Sequence, residues 1–324
     1  MLLTLAERIA PIFALIGIGW LLAWRGVFSS AALEAMGQMT VWTLVPATLL
    51  LTIAHADIGG VLDLRVWVAY YGAASLVWVA AYMLLRRRLR LPHDETVVLS
   101  FGSMFSNIGM FGIPVVDLLY GSVGLVVLSA LVTFHAMLFL TAAIILLEGG
   151  KAERSGTLGS RIRATLLRAL RGQLSNPIIV AILSGVALNL FQVGLPSPVE
   201  ATLNVLRGAL PPVALMLIGA GLYGQTLRGH LPTSGLCAVI KAVVLPLSVL
   251  LLGLALGVPM MLLAPAVMIA AMPPGVNPIL LSAAYRIAVN RMATLMLFAT
   301  LLALVTVPLF AVLLQTLQPH PIGG

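Results

Sequence analysis

The segment NIGMFGIP, residues 107–114, sets an asparagine, two glycines and a proline into a stretch that is otherwise apolar, and MPPGVNP, residues 272–278, repeats the feature in the second half of the chain. Proline removes a backbone N–H and displaces the carbonyl one turn earlier. Inside a bilayer, such unsatisfied backbone is tolerated only beside protein or a water-filled cavity. If their surroundings are a membrane, the two breaks must line something.

The composition says that they are. Of 324 residues 61% are hydrophobic and 9% charged, whereas a soluble domain carries about a quarter of its residues as charged ones. Apolar stretches of about 20 residues, enough for a hydrocarbon core of about 30 Å, recur along the chain. They predict spans near Leu5–Trp24, Leu33–Ala54, Val66–Leu85, Thr96–Leu119 and Val123–Leu147, then Pro177–Val193, Val199–Tyr223, Ser234–Leu256, Met260–Ala284 and Met292–Thr316. No soluble domain is left over. The first run, with Glu7 and Arg8 ahead of it and no small-residue cleavage pattern, reads as a retained helix. Cys237 is the single cysteine, which excludes an intramolecular disulfide and a cysteine-based metal site.

The formal charge of +8 would suit nucleic acid only on a basic face open to water. Here the basic residues sit between spans. The odd-numbered loops hold Arg25; Arg86, Arg87, Arg88 and Arg90; Lys151, Arg154, Arg161, Arg163, Arg168 and Arg171; Arg228; and Arg286 and Arg291, fourteen of the 18 Lys and Arg residues. The N-terminus and the even-numbered loops hold Arg8 and Arg65 alone, and Arg207 and Lys241 fall within spans. Positive loops face the cytoplasm, so both termini are expected outside a cell inner membrane. The anionic inner leaflet is the partner of the basic loops. The longest loop places Leu158, Ile162, Leu166, Leu170 and Leu174 at steps of four, opposite most of its arginines, as in a helix lying on the membrane surface.

The two halves echo each other. Pro11 precedes Gly19 by eight residues and Pro177 precedes Gly185 by eight, while Pro11 to Pro46 and Pro177 to Pro212 both span 35. Five spans per half force the copies into opposite orientations. The expected organisation is a first repeat over residues 1–147, a cytoplasmic basic linker over 148–176 and a second, inverted repeat over 177–324.

If the breaks in spans four and nine cross, they present half-helix N-termini, whose free N–H groups and positive dipole ends attract an anion. Asn107 and Asn277 add neutral amides. Prolines that merely kink packing helices are the alternative; a matched pair with an asparagine in each favours a site. Lys241 can snorkel to the inner surface, or point inward to the crossing carbonyls or to a bound anion. Arg207 reads as structural, His135 as a neutral hydrogen-bonded core histidine and Asp117 as a helix-end residue.

The stretches SFGSMFSNIGMFGIPVV (Ser100 to Val116), AAMPPGVNPILLSAAY (Ala270 to Tyr285) and TLLALVTVPLF (Thr300 to Phe310) resemble the auxin efflux carrier family, whose bacterial members include malonate- and malate-type permeases. The resemblance covers essentially the whole chain, although the long central loop of the plant members has no counterpart. It implies an all-α integral membrane fold of ten transmembrane helices as two inverted five-helix repeats with crossing helices four and nine. Spans one, two, six and seven would form a scaffold, and the others a moving transport domain. The family motif falls on Asn107, Gly109, Gly112 and Pro114, and its counterpart on Pro273, Pro274 and Asn277; Gly275 lies inside that break, and Lys241 is a further candidate. A small organic carboxylate would bind at the crossing, with scaffold contacts around Pro46 and Thr48. No cofactor and no metal are expected, nucleic acid is not a partner, and a homodimer is left open.

Three rivals stand beside an alternating-access carrier. An ion channel would reuse polar backbone at mid-membrane but normally closes a pore by symmetry or a polar stripe. An ion-coupled symporter of another solute is a second. A membrane enzyme would need a motif such as HExxH or GxSxG, and the chain has neither. Direction of transport and coupling ion are undetermined.

Overall fold

The computed structural model describes residues 2–56, 63–149, 175–224 and 231–317. The expected basic linker therefore lies almost wholly outside the described residues, as do Arg228 and the C-terminal tail. Every regular element among the described residues is helical: α1 (Leu2–Trp24), α2 (Ser30–Ala54), α3 (Leu64–Arg87), α4 (His93–Gly102), α5 (Ile108–Gly149), α6 (Pro177–Leu190), α7 (Ser197–Leu222), α8 (Leu231–Ala255), α9 (Met260–Ala271), α10 (Val276–Tyr285) and α11 (Val289–Thr316). Six of them, α2, α3, α5, α7, α8 and α11, are long and apolar enough to cross a bilayer; α6, α9, α10 and the Ala10–Trp24 part of α1 are shorter apolar helices. Helix α5 changes direction at Gly121, where φ is 59°, a conformation that glycine adopts without strain.

Prolines set the irregularities. Pro46, Pro114 and Pro246 each have no N–H for the carbonyl four residues back, and the residue before each reaches back five instead: Val45 N–H to Thr40 O, Ile113 to Ile108 and Leu245 to Ile240. The widened π turns Thr40–Leu44, Ile108–Gly112 and Ile240–Val244 result, the form in which a helix absorbs an insertion. A fourth, Val68–Gly72 in α3, has no proline after it.

Glycines set the packing. A Cβ on Gly19 would stand 2.0 Å from Met216 O, and one on Gly219 1.8 Å from Ile16 O, so α1 and α7 touch backbone to backbone. Gly185 plays the same part between α6 and α2, where a Cβ would come within 3.0 Å of both Leu50 O and Ile53 Cβ. Beside it, the Asn189 amide donates to the carbonyls of Ile53, Ala54 and Ala56 at 3.1, 3.0 and 2.8 Å. One side chain of α6 thus satisfies the C-terminal carbonyls of α2.

The centre belongs to the two broken helices. Residues Thr96–Gly102 of α4 and Leu262–Ala271 of α9 are buried without interruption, while the outer helices expose Leu76, Leu251, Val305 and Leu309. A surface of bare apolar side chains suits lipid, and the chain is a multi-pass membrane protein.

Candidate functional site

Helix α4 stops at Gly102 and α5 begins at Ile108; α9 stops at Ala271 and α10 begins at Val276. The two links lie antiparallel, with Ser106 opposite Pro274. Asn107 N–H donates to Pro273 O at 2.8 Å and Gly275 N–H to Phe105 O at 3.4 Å. Between such flanking bonds, the opposed pair turns its own polar groups away from each other. Pro274 sits where no N–H is needed. The N–H of Ser106 leaves on the far side and meets His135 Nε2 at 3.3 Å.

The double proline also orphans two carbonyls. Ile269 O and Ala270 O would accept from residues 273 and 274, both of which are prolines. Ile269 O takes Met272 N–H at 3.3 Å instead. Ala270 O takes the ammonium of Lys241 at 2.6 Å, and the same Nζ donates to Ser106 Oγ at 2.9 Å. Lys241 comes from the π turn that Pro246 imposes on α8 and is 0% exposed. Behind Ser106, Tyr70 Oη lies 3.4 Å from His135 Nδ1. Because Nε2 of His135 accepts, its ring is neutral with the proton on Nδ1.

Beside the crossing lies a cavity of about 410 Å³. Asn107, Met110, Phe111, Pro273, Pro274, Val276 and Ile279 line it from the broken helices; Leu217, Ile218, Gly221 and Leu222 line it from α7, and Ala293, Met296, Leu297 and Thr300 from α11. The first turns of α5 and α10 both reach it. The positive dipole ends of both helices thus meet a cavity with mostly apolar walls, the arrangement that suits an anion with a carbon skeleton. Asn107 caps α5 by accepting Met110 N–H on Oδ1 at 3.2 Å, which leaves its NH₂ group as the donor it can offer a ligand.

Of the residues read from the sequence, Asn107, Pro273 and Pro274 line this cavity. Gly275 lies in the link, where a Cβ would come within 3.1 Å of the Phe105 ring. Asn277 is half-buried in the first turn of α10 and does not line the cavity. Gly109 faces Ile178 of α6, Gly112 donates to Asn107 O at 3.0 Å, and Pro114 is buried in α5. Pro46 and Thr48 lie in α2 away from the cavity, with Thr48 Oγ1 donating to Leu44 O at 2.9 Å. Of the alternatives for Lys241, the structure takes the crossing carbonyls; its ammonium does not line the cavity. Ser106, Phe111 and Thr300 carry no signal in the sequence, since each residue type is commonplace in an apolar helix. Arg207 and Asp117 prove to be partners, 3.2 Å apart, joining α7 to α5.

Broken helices that meet at the centre of an apolar bundle, with their N-termini turned to one cavity, are the mark of a membrane transport protein. Residues 4–311 match the family model described as membrane transport protein, and the chain belongs to that family, the auxin efflux carrier family its motifs resemble. It is 26% identical over 310 residues to an uncharacterized transporter of Methanothermobacter thermautotrophicus, covering 95% of this chain and 98% of the relative. It is 24% identical over 309 residues to the uncharacterized transporter YfdV of Escherichia coli, covering 93% and 94%. Family and relatives point to transport rather than catalysis.

Proposed function

We propose that the protein is an alternating-access carrier of a small organic anion, a mono- or dicarboxylate such as malonate or malate, with ten membrane spans in two inverted five-helix repeats. The observation that carries this reading is the meeting of the α5 and α10 N-termini on one cavity of about 410 Å³. Asn107 and the links at Pro273, Pro274 and Gly275 form the site; Gly109, Gly112 and Pro114 shape the break in α5, and Asn277 holds the first turn of α10. Pro46 and Thr48 stiffen the scaffold beneath.

The repeat reading gains support from packing. The first helix of each half meets the second helix of the other through a glycine, Gly19 on α7 and Gly185 on α2. Those two glycines occupy matched places after Pro11 and Pro177. Under the positive-inside rule the termini are extracytoplasmic in a cell inner membrane, with the linker over residues 148–176 on the cytoplasmic side. The cavity then lies toward the cytoplasm, because its lining uses the last turns of α7 and the first turns of α11, next to Arg286 and Arg291.

The test is calorimetric titration of malonate and malate into purified protein and into Asn107→Ala. Loss of the amide should weaken binding about 10- to 100-fold, the cost of one hydrogen bond to a charged group, with the melting temperature lowered only by the lost α5 cap, worth about 1 kcal/mol. Equal affinity in the variant places the substrate elsewhere.

A further inference from the structure

Among the described residues Lys241 is the only Lys, Arg, Asp or Glu that is fully buried. A lone buried ammonium is costly unless its donors are taken. No carboxylate pairs with it among the described residues. What surrounds it is oxygen: the orphaned carbonyl of Ala270 in the last turn of α9, and the hydroxyl of Ser106 just beyond the end of α4. Of the titratable groups nearby, the Cys237 thiol is buried one turn earlier in α8, and His135 and Tyr70 stand behind Ser106, the histidine neutral by its hydrogen bonding. Lys241 therefore sits on the negative end of the α9 dipole and just beyond the end of α4, and it does not line the cavity.

Unwound carbonyls and half-helix C-termini are the chemistry with which a transporter holds a free monovalent cation. We infer that Lys241 is a tethered counter-cation, an ammonium that permanently fills a place a bound alkali ion would otherwise fill. Transport consequently requires no free sodium or potassium, and a sodium- or potassium-coupled symporter built on this crossing is excluded. The inference rests on the carrier reading for its transport consequence, but not for its binding consequence.

Lys241→Ala removes three methylenes and the ammonium, and n-propylammonium replaces those atoms. In liposomes with choline as the external cation, wild-type uptake of labelled malonate or malate should match that in sodium or potassium. Uptake by Lys241→Ala should fall about tenfold or more, as for a buried acceptor stripped of a charged donor, and n-propylammonium should restore a large part of it. Without any substrate, n-propylammonium should raise the melting temperature of Lys241→Ala and leave that of the wild type unmoved. If Lys241→Ala is recovered only as aggregate, recovery of monodisperse protein on adding the amine is the readout, and its failure overturns the inference. Wild-type uptake that needs sodium or potassium overturns it too, as does Lys241→Met, uncharged and one atom shorter, transporting at the wild-type rate in choline. Absence of uptake by the wild type in every cation sinks the carrier reading and leaves the melting shifts to judge Lys241.

Discussion

Ser106 spends every polar atom on the crossing: its N–H on His135, its hydroxyl on Lys241, and its carbonyl on Ile108 N–H at 3.0 Å. Ser106→Ala should leave the ammonium with Ala270 alone and destabilise the protein by about 1–3 kcal/mol, read as a lower melting temperature in detergent; an unchanged value would detach Lys241 from the stability of the crossing. Asn107 and the prolines are legible in the sequence, because a proline in a hydrocarbon-length run announces an unsatisfied carbonyl. Serine announces nothing, since its hydroxyl usually bonds back one turn, as Ser103 does to Leu99 O at 2.8 Å. Lys241 is legible as a charge out of place. That it answers the carbonyl orphaned by Pro274 depends on the fold, because residues 241 and 270 share no helix.

At the scale of elements, the prolines of α2, α5 and α8 act through the π turns before them, and the helix pairs act through glycines and one capping amide. Asn189→Ala should lower stability by about 1–3 kcal/mol, because it strips the donors from the end of α2; denaturation of purified protein checks this, and a silent substitution would show that water replaces the amide. The ion pair Arg207–Asp117 joins α7, in the proposed scaffold, to α5, in the proposed moving body. Phe111 and Val115 of α5, Ile12 and Ile16 of α1 and Val307 of α11 line one small apolar pocket. In the proposed carrier, the ion pair helps to close the side away from the cavity. Asp117→Asn should shift the population toward the opposite opening by about fivefold, the effect of a part-exposed pair worth ~1 kcal/mol. A cysteine at Val115, in protein whose Cys237 has been replaced, should label correspondingly faster from the side away from the cavity; equal labelling removes the pair from the closure. This pairing is hidden in the sequence, in which Arg207 and Asp117 are 90 residues apart and belong to different proposed repeats.

Over the whole molecule, composition and apolar runs make the all-helical, multi-pass character legible. The runs Thr96–Leu119 and Met260–Ala284 are each legible as an apolar stretch with a break in it, and the structure makes each from two helices, α4 with the first part of α5 and α9 with α10, because their central residues are given to the crossing. The side on which the cavity lies is not written in the chain, since it depends on which helix ends meet. A monovalent anion crossing without a counter-cation moves charge, and an inside-negative potential drives it outward by about 2.3 kcal/mol per 100 mV. The central claim is that the crossing carries a carboxylate by exposing one site to each side in turn. Counterflow measures this directly: liposomes loaded with unlabelled malonate or malate are diluted into a trace of the labelled compound under zero clamped potential. A carrier predicts transient accumulation of label above its external concentration, saturating with internal substrate and lost in Asn107→Ala. Label that merely equilibrates, at a rate proportional to concentration and indifferent to Asn107→Ala, would contradict it.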